Sequence, residues 1–267
     1  MPDIVVHNAM GRKVLQGLPE EVRRRINTDI FRLAVNGSDP FLYYRWFALP
    51  FRHGINKRQG IMHRTKTGEY LLALARRAQD DQVFSYLAGF LCHYALDSTA
   101  HPYIIKEKGG VGGGRHTFIE HWLDRVELAR QGKRLKDRPI TRELFPPFYP
   151  ESMQPALDAT AREVYGWEDF YTTFRTAWKH TKPLYAIMED PKGIWEKLFG
   201  WSEGVLGCVS YQSNRCRHED FSKFDGLVEK AVRDAQEFIR AAAAFTEGKI
   251  SEEELKAVIG NRSYILG

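Results

Sequence analysis

The chain is predicted to be all-α, and three observations predict it. Apolar residues recur at intervals of three and four through most of the 267 residues; no segment shows the period-two alternation of a half-buried strand; and Gly, Pro and Asn clusters divide the periodic segments into helix-sized lengths. Hydrophobic residues at 43% and charged residues at 27% describe an ordinary globular composition. The length suffices for a full core, so residues 1–267 read as a single all-helical domain, a multi-helix bundle. Its candidate chemistry lies within 1–124, and supporting helices are expected in 150–260.

Charge and cysteine content narrow the function classes. The net charge of +5, from 39 basic against 34 acidic residues, fits an anionic substrate without identifying nucleic acid as the partner. Three cysteines, Cys92, Cys208 and Cys216, are too few and too irregularly spaced for a disulfide framework or a thiolate zinc site. Cys92, inside an apolar run, is expected to be a buried thiol. No basic region followed by a long apolar one succeeds Met1, and no apolar run is long enough to span a bilayer. We therefore expect no signal peptide, no transmembrane segment and a cytoplasmic location.

The elements follow in order. Asp3 to Leu18 reads as a first helix, with Ile4, Val5, Met10, Val14 and Leu15 as its apolar stripe and His7 in its first turn. A second helix is expected from Pro19 or Glu20 to about Asn36, opened by acids that suit a helix N-terminus. Asn36-Gly37-Ser38-Asp39-Pro40 is a strong turn signal, and a turn alone would explain Asp39. Phe41 to Phe47 holds five aromatics, which read as core packing or as a wall beside a site. Residues 52–60 look like a loop, and periodicity resumes from Met62 to Ala75, with His63 near the start. Asp80-Asp81 then opens a long helix whose buried face is Val83, Tyr86, Leu87, Phe90 and Leu91. Gly109 to Gly114 is a connector without the Gly-Lys-Ser/Thr ending of a P-loop. A helix from near Arg115 carries His116, Glu120 and His121. Beyond a Pro-rich connection at 139–155, helices are expected at about 154–165, 167–189, 191–213, 218–247 and 251–259.

The long helix carries the most informative pattern. His93, Asp97 and His101 stand four residues apart, so each step advances about 40° beyond a full turn and about 6 Å along the axis. His93 and Asp97 can share one metal ion, whereas His93 and His101 lie about 12 Å apart on a straight helix and cannot. Three ligands there imply at least two ions, with Asp97 as the bridge. A carboxylate continuing an apolar face also needs a strong partner, since an unpaired buried charge is costly. His116 and Glu120 repeat the four-residue spacing. With His101 they form a three-ligand set that leaves a fourth position for water, the arrangement of catalytic zinc. His63 is the best-placed further ligand for His93 and Asp97. His121 points about 100° from Glu120 and is expected to support the site or face solvent.

In this order, His7, Asp39, His63, His93-x-x-x-Asp97-x-x-x-His101 and His116-x-x-x-Glu120, the chain resembles the bacterial zinc-dependent phospholipases C, whose all-helical fold is shared with single-strand-specific zinc nucleases. The resemblance implies that His63, His93 and Asp97 hold one zinc and that His101, His116 and Glu120 hold a second. It implies that Asp97 also bridges to a third ion bound with His7 and the backbone at the chain's start, where secreted members supply an N-terminal Trp absent here. Asp39 would be a ligand or the base that orients the attacking water. The implied function is metal-dependent hydrolysis of a phosphodiester such as a phospholipid head group. Single-strand nuclease or nucleotide phosphatase activity on the same fold, or a non-catalytic metal-binding helical protein, are the alternatives. His and carboxylate ligands without thiolate admit Zn2+, Mn2+ or Fe.

Overall fold

The first helix is fastened at its start by its own sequence. The Asp3 carboxylate accepts from the Ile4 backbone N–H at 2.8 Å, and α1 runs Ile4–Gln16. The computed structural model describes residues 3–48, 54–110, 113–134, 140–143, 148–199, 201, 210–212 and 215–267. Among them there are helices and turns but no strand, as the periodicity predicts.

The expected second helix is two. α2 is Glu20–Arg24 and α3 is Thr28–Ala34, separated by Asn27, whose side chain accepts from the Asp29 and Ile30 N–H groups at 3.0 and 3.2 Å. An Asn that caps a new helix competes with continuing the old one, and here the cap prevails over unbroken apolar spacing. The Asn27 N–H donates to Ser85 Oγ at 2.8 Å, tying the break to the long helix.

A second break sets the angle of the His63 helix. The expected loop at 52–60 turns helical early, so α4 spans Lys57–Arg64, and α5 follows as Thr67–Ala75. Between them Lys66 adopts φ +54°, a left-handed conformation that stops one helix and redirects the next. Residues 51–53 lie outside the described set.

The long helix α6, Asp81–Pro102, opens on Asp80, whose carboxylate accepts from the N–H groups of Gln82 and Val83 at 2.8 and 3.3 Å. It is covered by α3 on one side and by α12, Ser222–Thr246, on another, with α1 and α5 also packed against it. Its burial is wider than the predicted single face: every residue from Val83 to Ser98 is buried. Each large apolar side chain so enclosed, Phe84, Leu87 and Phe90 among them, contributes roughly 1.5–3 kcal/mol. Cys92 is a buried thiol there, as expected. The consequence for function is that α6 has no wet side to offer a His or an Asp.

The remaining helices are α7 (Gly113–Arg130), α8 (Ile140–Glu143), α9 (Gln154–Tyr165), α10 (Phe170–Met188), α11 (Ile194–Phe199) and α13 (Glu252–Ile259). Gly113 and Gly114 begin α7 instead of extending the connector, while Val111 and Gly112 fall outside the described residues. The helix expected at 191–213 is reduced to 194–199 among the described residues, because Asp190 at φ +42° turns the chain and caps the N–H groups of Ile194, Trp195 and Glu196. Residues 202–209, with Cys208, are not described.

Candidate metal centre

Five segments deliver polar side chains to one place. α6 supplies His93, Asp97 and His101, α4 supplies His63, α1 supplies His7, α7 supplies His116 and Glu120, and the turn Asp39–Tyr43 begins with Asp39. All eight residues named from the sequence are brought to this centre. The turn reaches α6 because Gly37 sits at φ +51° directly over His93, where a Cβ would come within 2.0–2.4 Å of the imidazole ring. Gly37→Ala is therefore expected to strain the backbone by about 1–2 kcal/mol and push His93 from its place. Its measured zinc content should fall together with its melting temperature; an unchanged zinc content would contradict this geometry.

The first group is Asp39, His63, His93 and Asp97, each offering one ligand atom within 4.8 Å of the others. His63 Nε2 lies 3.2 Å from Asp39 Oδ1 and 3.4 Å from His93 Nε2, and His93 Nε2 lies 3.4 Å from Asp97 Oδ2. Atoms about 2.0–2.1 Å from a tetrahedral ion stand about 3.3–3.4 Å from one another, so these spacings fit a zinc ion. His7 adds a further approach, Nε2 to Asp97 Oδ1 at 3.3 Å, on the other oxygen of the same carboxylate. Asp97 thus faces His93 with one oxygen and His7 with the other. The start of the chain expected to join His7, Met1 and Pro2, lies outside the described residues.

The second group is His101, His116 and Glu120, also within 4.8 Å. Here the tautomers can be read. His101 Nδ1 meets the Tyr264 carbonyl at 2.5 Å, and His116 Nδ1 meets the Gly110 carbonyl at 2.8 Å. A carbonyl only accepts, so both imidazoles carry hydrogen on Nδ1 and present the Nε2 lone pair. Backbone carbonyls commonly orient metal-binding histidines in this way. His116 Nε2 then lies 2.7 Å from Glu120 Oε1.

The centre leaves buried polar atoms without hydrogen bonds. Both oxygens of Asp97, both ring nitrogens of His7 and Nδ1 of His93 lack a bond of good geometry, although all three residues are fully enclosed. Such atoms cost about 1–3 kcal/mol each when nothing satisfies them, and native interiors hold few. A cation set among them would satisfy both Asp97 oxygens and the imidazole lone pairs, so the residues present fit a metal.

Electrostatics prepare the same atoms. Burial, partly opposed by Asp97 and Asp39, lowers His93 to about 4; burial also lowers His116, to about 3. His101 is held well below its usual range, again by burial first. For Asp97 burial acts upward, but the surrounding His93, His101 and His7 outweigh it and hold the carboxyl well below its ordinary value. At neutral pH His93, His101 and His116 are thereby kept neutral and Asp97 ionised, the protonation states that bind metal. A stability consequence follows for the metal-free protein. The unfolded chain protonates these histidines near 6.5, whereas folded His93 resists until about 4. The unfolded state therefore binds more protons in that window, and stability should fall as pH drops from 6.5 towards 4, by roughly 3 kcal/mol for His93 alone. Thermal melts of the chelated protein at intervals across this range test it, and a flat profile would count against the buried, neutral assignment.

Several supporting residues escape sequence reasoning. The Gln59 amide lies 2.9 Å from His63 Nδ1 and 3.4 Å from Asp39 Oδ1; its one sequence signal is the four-residue spacing to His63. Asp124 accepts from the N–H groups of Val5 and Val6 at 3.0 Å each, clamping the helix that carries His7 to the helix that carries Glu120. Asp3 accepts from the hydroxyls of Tyr185 and Tyr211, and His121, buried instead of solvent-facing, stacks on Tyr211 with Nε2 3.5 Å from Asp3 Oδ2. Of the aromatic run, Phe41 meets the expectation of core packing, edge-on to Phe170 and Phe174; Tyr43 donates or accepts at the Tyr185 hydroxyl; Leu42 and Phe47 are exposed.

The fold and the centre together define an all-helical protein with a buried cluster of His, Asp and Glu side chains suited to zinc. A family model described as zinc dependent phospholipase C matches residues 6–178, which include all eight of these side chains. The chain belongs to the zinc-dependent phospholipase C family, and with it to the zinc-dependent phosphoesterases. Neither curated proteins nor solved structures give a match. No helix among the described residues is long and apolar enough to cross a membrane.

Proposed function

We propose that the protein hydrolyses a phosphodiester, with a phospholipid head group as the substrate class that the family membership favours. The observation that carries this reading is the Asp97 carboxylate, fully buried, without a hydrogen bond of good geometry at either oxygen and flanked by the imidazole nitrogens of His7 and His93. His63, His93, Asp97 and Asp39 would hold one zinc and His101, His116 and Glu120 a second, with His7 and the second Asp97 oxygen available to a third. Zinc when bound supplies Lewis acidity, lowering the pKa of water towards neutrality and neutralising phosphoryl oxygens.

The chain's own residues do the rest. Asp97 keeps its negative charge between His7 and His93, with one oxygen facing each. Tyr264 and Gly110 fix the tautomers of His101 and His116, so neither ring has to reorganise when metal arrives. The centre is enclosed around His7, Asp39, His63, His93 and Asp97, all buried, and is least enclosed at His116, whose side chain is 22% exposed. Asp39 brings a carboxylate beside the proposed ligand His63, 3.2 Å away, which suits it to accept a proton from an attacking water and aim it at phosphorus. The partly exposed His116 supports catalysis over a purely structural centre, whose ligands would all be enclosed.

The zinc-loaded protein should be assayed on phosphatidylcholine vesicles, single-stranded DNA, a nucleotide monophosphate and a small chromogenic phosphodiester. Turnover of the vesicles and the chromogenic diester is expected. Cleavage of DNA or of the monoester alone would replace the substrate class, and full zinc content with no turnover on any of them would make the centre structural.

A further inference from the structure

We infer that the C-terminal segment 261–267 is a strap that positions the metal centre, with Tyr264 as its positioning residue; the inference rests on the zinc reading above. The segment lies beyond the part of the chain matched by the family, which ends at residue 178. Yet Tyr264 is buried against the centre and touches three of the proposed ligands through three different groups. Its carbonyl accepts from His101 Nδ1 at 2.5 Å, its N–H donates to the His63 carbonyl at 3.1 Å, and its ring centroid lies 4.8 Å from that of His63 and 5.5 Å from that of His93. The carbonyl contact dictates which His101 nitrogen is available: Nδ1 is occupied as a donor, so Nε2 is the atom that faces His116 and Glu120.

The strap is held from outside the centre. Asn261 Oδ1 accepts from the Gly68 N–H at 2.9 Å, and the Thr67 hydroxyl lies 2.9 Å from Asn261 Oδ1 and 2.7 Å from the Arg262 carbonyl. The Arg262 N–H donates to the Tyr94 hydroxyl at 2.8 Å, and its guanidinium pairs with Asp234 on α12 at 2.7 Å. Gly68 leaves the room this requires, since a Cβ there would stand 2.2 Å from the Gly260 carbonyl oxygen. The start of α5, the middle of α6 and the face of α12 thus converge to hold one carbonyl against one imidazole. Partners that orient a ligating histidine typically change metal affinity by about 10–100-fold when removed.

The test compares the 267-residue chain with Asn261→Ala, with Tyr264→Phe and with a chain ended after Gly260, each checked for helical content by circular dichroism. Zinc affinity is read by competition with a chromogenic chelator, and coordination by the visible spectrum of the cobalt-substituted protein. Asn261→Ala and the shortened chain are expected to hold one ion about 10–100-fold more weakly, with an altered cobalt spectrum. Tyr264→Phe is expected to match the parent, because the carbonyl, N–H and ring make these contacts without the hydroxyl. Zinc binding by the parent with unchanged affinity and spectra in a folded Asn261→Ala protein and a folded shortened chain would overturn the strap. If the shortened chain does not fold, Asn261→Ala decides alone. A parent that binds no zinc would instead overturn the zinc reading itself.

Discussion

Asp97→Asn is expected to lose zinc and hydrolytic activity together. The carboxylate is the most deeply buried of the centre's three, and each of its oxygens faces a different imidazole, His7 at 3.3 Å and His93 at 3.4 Å. An amide of the same size keeps the packing but removes the charge, and its NH2 would point a donor at an imidazole or at a cation. Residues that only orient ligands are worth about 10–100-fold, so loss of the bridging ligand should reduce turnover more than ~100-fold. Zinc content by atomic absorption and turnover on the chromogenic diester should be measured on the same preparation. Parent-like zinc content with parent-like turnover would remove Asp97 from the centre.

Chelation should destabilise the protein substantially. A ligand that binds only the folded state contributes about 4 kcal/mol at a thousandfold excess over its Kd, and each kcal/mol moves the melting temperature of a protein this size by about 2–4 °C. A melting temperature roughly 10 °C lower after exhaustive chelation, restored by added zinc, is therefore expected. The structural reason is the enclosed Asp97 carboxylate, unbonded at both oxygens, together with the imidazoles of His7 and His93 beside it, which a cation would satisfy. Coincident melts with and without chelator would mean that the cluster does not hold metal tightly.

Legibility from sequence followed the range of the interactions. His93, Asp97 and His101 were readable because four-residue spacing on one helix is a local quantity, and the same is true of His116 and Glu120. His63 could be offered only as the best-placed His on a neighbouring helix, while His7 and Asp39 come from two other segments that only a resemblance spanning the whole motif order could associate. Helix boundaries failed where one residue outweighed the apolar period: Asn27 by capping α3, Lys66 by turning left-handed, Asp190 by capping the turn that follows it. The Asn-Thr-Asp run at 27–29 did carry a capping signal. Tyr264 and Asp124 carried none, since an acceptor 163 residues from His101, or one 119 residues from Val5, leaves no trace in spacing.

The unequal enclosure of the two groups has a kinetic consequence. A zinc ion held by His101, His116 and Glu120 can leave on the side of His116, whose side chain is 22% exposed, whereas one held by Asp39, His63, His93 and Asp97, all buried, can leave only when α4 or the Asp39 turn lifts from α6. The two ions should therefore exchange with isotopically labelled zinc in two phases, the slower set by local opening of the protein. That slow phase would make the inner ion effectively a permanent part of the folded chain on the timescale of many turnovers, and the outer one responsive to the zinc available around it.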